Sequence, residues 1–242
     1  MYNFQSSNII DPRRSESTGA LVENSKIKIP HKNGNYDLRV IEKIGNGGFG
    51  SVYKCVDTVG NGEYALKKIE SKKDQGISCL FEASMMSSYK YPSLNKAITI
   101  NASLDHIYIL QDVASYDLRQ HISKNSLDMN KRKNILYRIC KGISYLHEND
   151  LIHGDIKTGN ILYYSEDDIR ISDFNLTIMK KWKSDIKLCT AIYRPLEVWR
   201  SKNFDWNAKI DIWCLGCLMH ELLYDNEIIF PFQGKAELKM KK

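Results

Sequence analysis

Two rhythms divide the chain. From Tyr36 to Glu70, apolar and polar residues alternate in short runs broken by glycine: YDLRVIEKI, GNGGFG, SVYKCVD, the turn VGNGE, then YALKKIE. A period of two bounded by turn residues predicts a three-strand meander. Residues 77–88 (ISCLFEASMMSS) predict a short helix with Leu80, Phe81, Ser84 and Met85 on one side, and AITINAS with HIYILQ predicts a hairpin. After about Ala114 the spacing becomes helical, with Ile135, Leu136, Ile139, Ile143 and Leu146 recurring through NKRKNILYRICKGISYLHE. Two short strands, ILYY and IRIS, flank a polar loop. DIWCLGCLMHELLY, residues 211–224, is apolar nearly all round and predicts a buried helix. Residues 1–35 are polar without sustained periodicity and read as a loose tail. The outcome is an α+β chain with a β-rich first lobe, a helix-rich second lobe and a boundary near Gln111 to Ser115, where a cleft would be a common ligand site.

Charge and cysteine usage narrow the partners. A net charge of +6 fits an anionic ligand, but no long basic run exists: Lys180, Lys181 and Lys183 surround Trp182, and Lys239, Lys241 and Lys242 end the sequence. That pattern does not point to nucleic acid. No apolar run approaches the roughly 18 residues a membrane span needs. The N-terminus MYNFQSSNIIDPRR lacks the order of a secretory signal, so an intracellular protein of cytoplasm or nucleus is expected. Among six cysteines, Cys214 and Cys217 form a CxxC, with His220 too little to complete a zinc site. Redox chemistry there stands beside the plainer reading of small side chains on a packed helix.

Three features carry chemistry. Gly45, Gly47 and Gly50 satisfy GxGxxG, which would open a dinucleotide-binding βαβ unit if a helix came next. The residues after Gly50 are instead the strand-like SVYKCV, so the glycines sit in a hairpin whose backbone can approach a polyphosphate closely. Lys67 lies on the next strand and Glu82 fifteen residues on, in the short helix. An acid holding that lysine would aim its ammonium at phosphate oxygens; the alternative is a surface pair worth under roughly 1 kcal/mol. Third, IHGDIKTGNIL places Asp155, Lys157 and Asn160 in one polar loop, and ISDFN brings Asp173 after a strand. Carboxylate and amide oxygens are hard ligands suited to magnesium. Phosphoryl transfer needs metal, a cation on the phosphates and a carboxylate aimed at the attacking hydroxyl.

With these motifs in order, the chain from about Tyr36 to about Gly234 resembles eukaryotic-type protein kinases. The resemblance implies a bilobal fold with a flexible tail (1–35) and a kinase domain (36–242): N-lobe about 36–111, hinge 112–115, C-lobe 116–242. It implies ATP under a lid of Ile44, Gly45, Asn46, Gly47, Gly48, Phe49, Gly50, Ser51 and Val52. Lys67 would contact the α- and β-phosphates with Glu82 as its helix partner, and Val52, Ala65 and Leu162 would sandwich the adenine. Gln111 matches the gatekeeper, and Asp112 to Ala114 the hinge backbone. Asp155 matches the catalytic aspartate, Lys157 the lysine on the γ-phosphate, and Asn160 and Asp173 the Mg2+ ligands. Asp211 resembles the aspartate that supports the catalytic loop, and His153 a packing residue in a spine with Phe174 and Met86 rather than a base. Lys157 and Thr190 are similar to those of Ser/Thr kinases, and CTAIYRPLE is similar to the cyclin-dependent and MAP-kinase branch. A protein substrate with a Ser/Thr hydroxyl is implied. No cyclin partner is expected, because the first helix lacks the cyclin-binding sequence. Lys67→Met is expected to stop transfer and leave the fold intact.

Four departures qualify the resemblance. Gly154 stands where the family has an arginine that reads an activation-segment phosphate. Asn175 replaces a glycine, with asparagine's tolerance of left-handed backbone as the expected compensation. Pro195-Leu196 replaces Ala-Pro. The sequence stops about forty-five residues after Glu197, so a truncated C-lobe is expected, with Glu197 unpaired at a cost of roughly 3–5 kcal/mol if buried, and a partner that could complete the lobe. An active Ser/Thr kinase is therefore weighed against a weakly active or inactive binding or scaffold module.

Overall fold

The computed structural model describes residues 20–47, 50–70, 76–103, 105–180, 189–200 and 206–230. It divides into two compact units: Met1–Tyr89 with Lys96–Val113, and Lys90–Asn95 with Ala114–Lys242.

The first unit is a six-stranded antiparallel sheet plus one helix. Its strands are β1 (Lys26–His31), β2 (Gly34–Gly47), β3 (Gly50–Asp57), β4 (Glu63–Glu70), β5 (Thr99–Ala102) and β6 (His106–Asp112), in the order β1-β2-β3-β4-β6-β5. The expected meander and hairpin are β2–β4 and β5–β6. Strand β1 lies inside the segment read as a loose tail. Lys26 and Lys28 face out while Ile27 and Ile29 face in, a period of two over too few residues to stand out in a polar stretch. Those isoleucines meet Leu38 and Val40 of β2, Tyr53 and Cys55 of β3, Leu66 of β4 and Tyr108 and Leu110 of β6 in one core cluster. At the β3–β4 turn, the Asp57 carboxylate accepts from the amides of Asp37, Val59 and Gly60.

Helix α1 (Gly76–Ser88) is turned from its expected orientation: Leu80 and Ser84 are exposed, while Glu82, Ala83, Met85 and Met86 are buried. An apolar-stripe reading cannot foresee this, because the residue that fixes the helix's rotation is the acid at 82.

The second unit holds α2 (Leu118–Lys124), α3 (Met129–Glu148), α4 (Leu196–Arg200) and α5 (Lys209–Leu223). Its short strands are β7 (Tyr116–Asp117), β8 (Leu151–Ile152), β9 (Ile161–Ser165), β10 (Asp168–Ile171) and β11 (Ile178–Met179), forming the sheets β10-β9-β7 and β11-β8. Asp117 and Asp128 cap α2 and α3 by accepting from the Gln120 and Lys131 amides at 2.7 and 2.9 Å. Along α3, Ile135, Ile139, Ile143 and Leu146 are buried, whereas Leu136 is half-buried. Gly142 lets α3 lie against β10: a Cβ there would come within 2.7 Å of Ile171.

Helix α5 departs from expectation. It buries Ile210, Asp211, Cys214, Cys217, Leu218, Glu221 and Leu222, yet Ile212, Trp213, Met219 and Leu223 are exposed. The buried stripe thus contains both acids and two of the thiols. Among the described residues, no helix is long and apolar enough to cross a membrane.

Candidate active site

In the first unit, β4 carries Lys67 and α1 carries Glu82. The Lys67 ammonium donates to Glu82 Oε1 at 2.6 Å, with Glu82 only 1% exposed. This is a buried ion pair, not the surface pair that was the alternative. Register puts Val52 opposite Lys67 and Ala65 opposite Gln111. Ala65 and Gln111 are buried, Val52 is half-buried and Ile44 is exposed. Asp112 ends β6 in the same unit.

The β2–β3 hairpin holds Gly45, Asn46, Gly47, Gly50 and Ser51; Gly48 and Phe49 lie outside the described residues. Asn46 Oδ1 accepts from Lys43 Nζ at 2.8 Å and from Ser51 Oγ at 3.1 Å, tying the hairpin across itself. The need for glycine at 50 is set within the sheet, because a Cβ there would come within 2.4 Å of the Lys68 carbonyl oxygen. This close approach is to β4.

The second unit gathers Asp155, Lys157, Asn160 and Thr190, and Leu162 lies on β9 and Ala114 at the unit's start. Asp155 is buried, and both carboxylate oxygens are engaged. Oδ2 accepts from Lys157 Nζ at 2.6 Å and Asn160 Nδ2 at 3.0 Å; Oδ1 accepts from the Thr190 amide and hydroxyl, each at 2.8 Å. Burial alone would raise this carboxyl's pKa, but the Lys157 ammonium and the Thr190 hydrogen bonds outweigh it and hold it below the usual 3.8. It is ionised at neutral pH and acts only as an acceptor. Lys157 Nζ also donates to Thr190 Oγ1 at 2.9 Å.

Asn160 donates from Nδ2 to the Asp155 carbonyl as well, at 2.8 Å, so its own Oδ1 is turned away from Asp155. The Ser172 amide and hydroxyl both donate to the Asn160 carbonyl, at 2.8 and 2.9 Å, which brings the chain just before Asp173 against Asn160. Asp173 itself has left-handed backbone, φ 65°. That moves the expected strain: Asn175 sits in a 3-10 turn without positive φ, and its side-chain amide instead donates to Asp173 Oδ1. Asn175 Oδ1 is buried without a hydrogen-bond partner among the described residues. No group of three His, Cys, Asp or Glu gathers among those residues, so any cation here relies on amide oxygens as well as carboxylates.

The backbone at the start of the Asp155 loop is fixed from α5. Asp211, fully buried, accepts from the His153 and Gly154 amides at 2.8 and 2.9 Å and pairs with His147 Nε2 at 2.8 Å. Gly154 has φ 79°, a conformation in which an arginine would be strained. Both ring nitrogens of His153 are occupied: Nδ1 accepts from the Asp155 amide, so the proton sits on Nε2, which faces the Ser172 carbonyl at 3.0 Å. With the ring also edge-on to Phe174, His153 holds the loop and has no lone pair left for a base.

Sequence reasoning missed Glu221. It is buried on α5 and accepts from Thr158 Oγ1 at 2.6 Å and from the Tyr193 hydroxyl. Burial, and then this carboxylate, push the Tyr193 hydroxyl's pKa well above its ordinary value. A signal existed: 211, 214, 218 and 221 fall on one face of a helix. Glu197, feared buried, is exposed in the first turn of α4, so the penalty tied to its burial does not arise.

Comparison with known families matches residues 38–242 to the family described as "Protein kinase domain". Among curated relatives, "Cyclin-dependent kinase G-2" of Oryza sativa subsp. indica is 28% identical over 211 residues, which cover 82% of this chain and 29% of the relative. "CTD kinase subunit alpha" of Saccharomyces cerevisiae is 30% identical over 217 residues, covering 84% of this chain and 39% of the relative. "Serine/threonine-protein kinase SSN3" of Chaetomium globosum is 28% identical over 243 residues, covering 92% and 46%. The chain thus spans less than half the length of these relatives. Matched over most of its length and carrying the motifs in order, the chain belongs to the protein kinase domain family.

Proposed function

We propose that this chain transfers the γ-phosphate of ATP to a serine or threonine hydroxyl of a protein substrate. The observation that carries the reading is the closed Asp155–Lys157–Asn160–Thr190 network, which holds an ionised carboxylate, a cation and an amide in one loop. Asp155 is the group that orients the substrate hydroxyl and accepts its proton as transfer proceeds. The hydroxyl must replace one of the four donors now on the carboxylate. Lys157 steadies the γ-phosphate, and Lys67, set by Glu82, lies along the α- and β-phosphates. The residues that would contact ATP are, in the first unit, the hairpin Ile44–Val52, Ala65 and the Asp112 backbone and, in the second, Ala114 and Leu162.

Mg2+ fits the donors present. The Asp173 carboxylate and Asn160 Oδ1 are hard oxygens, and the Ser172–Asn160 hydrogen bonds bring the backbone just before Asp173 to Asn160. When bound, magnesium neutralises charge on the phosphate oxygens. Two relatives are named as a cyclin-dependent kinase and a CTD kinase subunit. For this chain we retain the reading that no cyclin is required. Its support is the sequence of α1, ISCLFEASMMSS, which lacks the cyclin-binding sequence.

The test is transfer from radiolabelled ATP to generic acidic and basic protein substrates by the purified chain without added partners. Transfer that falls about 10²–10⁴-fold in Asp155→Asn supports the reading. Nucleotide binding without transfer would refute it and favour a binding module. Transfer that appears only with a cyclin would overturn the partner-free reading alone.

A further inference from the structure

The CxxC of α5 has a different sulfur neighbour from the one its spacing suggests. Cys214 Sγ lies 3.7 Å from Cys189 Sγ, twenty-five residues back along the chain and just before Thr190. Both thiols are free and buried, and both lie within the second unit. We propose that Cys189 and Cys214 are an oxidative modification site, a dithiol that hydrogen peroxide converts to a disulfide joining the chain at Thr190 to α5.

Three observations carry this. The sulfurs are already in contact, and closing from 3.7 Å to the bonded distance of about 2.05 Å is within reach of side-chain rotation and a small backbone shift. The backbone on both sides of the bond is anchored. The Cys189 amide donates to the Gly154 carbonyl at 2.8 Å, the Arg194 guanidinium donates to the Cys189 carbonyl at 2.8 Å, and Asp211, one turn before Cys214, holds the His153 and Gly154 amides. Finally, Cys189 has left-handed backbone, φ 68°, unfavourable for a cysteine. The contact with Cys189, and then burial, push the Cys214 thiol's pKa far up, which makes its oxidation slow while the contact is closed.

The chemistry balances with peroxide as the named oxidant. One thiol attacks the O–O bond, giving a sulfenic acid and one water. The second thiol then displaces that hydroxyl as a second water, forming the S–S bond. Two thiol hydrogens and two electrons leave the protein, and one peroxide becomes two waters.

The consequence for activity rests on the proposed function. Thr190 follows Cys189 directly and supplies both hydrogen bonds to Asp155 Oδ1. A displacement of about 1 Å at such a group costs on the order of 10²-fold in rate.

The experiment treats the intact chain with excess hydrogen peroxide and follows intact mass, non-reduced peptide mapping and transfer. A loss of two hydrogens, a cross-linked pair of peptides carrying Cys189 and Cys214, and a roughly 10²-fold fall in transfer reversed by dithiothreitol are expected. Cys214→Ser, which keeps a donor toward the Tyr193 carbonyl, should resist both changes. Cys189→Ser serves the same purpose should that variant fail to fold. No cross-link, or one joining Cys214 to Cys217, overturns the site. Equal inactivation of the serine variant overturns its control of activity. A chain inert before oxidation refutes the proposed function instead, and the mapping still decides the bond.

Discussion

Replacing Lys67 by methionine is the most informative perturbation of the first unit. Because the side chain is similar in volume, the sequence suggests a variant with lost chemistry and an intact fold. The burial of its partner says otherwise. Glu82 is 1% exposed and receives the ammonium at 2.6 Å, so Lys67→Met leaves a buried carboxylate without that ammonium. Breaking a buried pair from one side costs about 3–5 kcal/mol. The Lys67 side chain retains 11% exposure, which favours the lower end, about 3 kcal/mol. For a chain of this size that is a fall of roughly 6–12 °C in melting temperature. Replacing both partners by apolar residues, Lys67→Met with Glu82→Leu, should recover most of the loss, since a well-packed apolar pair is close to neutral. The probe matters. Trp182, Trp199, Trp206 and Trp213 all belong to the second unit, so their fluorescence does not report on this one. Hydrogen exchange at the β4 and β6 amides does. A loss under about 1 kcal/mol for Lys67→Met, or a double variant whose cost is the sum of the singles, would show that the pair is not closed in solution.

Two further outcomes concern the second unit. Tyr193→Phe removes a hydroxyl bonded to buried Glu221 and should cost roughly 1.5–3 kcal/mol in urea unfolding followed by tryptophan fluorescence, whereas a change within about 0.5 kcal/mol would mean the contact is spare. Asp155 has a folded pKa below its usual 3.8, so the stability it adds is present above pH 3.8 and is lost as pH falls through the folded value. The stability gap between the protein and Asp155→Asn should therefore shrink on acidification below that point, and a gap that widens there would contradict the geometry.

Much of the fold was legible because its signals are local. The β2–β4 meander, the β5–β6 hairpin and α3 follow from periodicity, Asp155, Lys157 and Asn160 from their spacing in one loop, and Thr190 from the resemblance to Ser/Thr kinases. The features that stayed hidden depend on a partner far along the chain. The Lys67–Glu82 pairing was legible, but its burial was not, because nothing local separates a buried pair from a surface one. Helix α5 reads as buried all round, because composition cannot tell an apolar residue facing the core from one facing out, as at Ile212 and Trp213. Asn175 seemed chosen for its backbone, yet it is the side chain that acts, on Asp173. Strand β1 alternates for only six residues and becomes convincing only opposite Leu38 and Val40.

Helix α5 explains why the loop from His153 to Asn160, whose regular structure is one 3-10 turn at Thr158–Asn160, holds a fixed shape. Over the eleven residues from Asp211 to Glu221, about 15 Å of helix, one face touches the loop's start at His153 and Gly154, the Tyr193 carbonyl through Cys214, and the loop's middle at Thr158. Each contact satisfies a buried polar group that would otherwise be costly. A small slide of α5 would strain all of them together, so the loop is set in one register or released as a whole. Tyr193 lies at the junction, bonded to Glu221 by its hydroxyl and to Cys214 by its carbonyl, so changes at those two positions of α5 should not add independently.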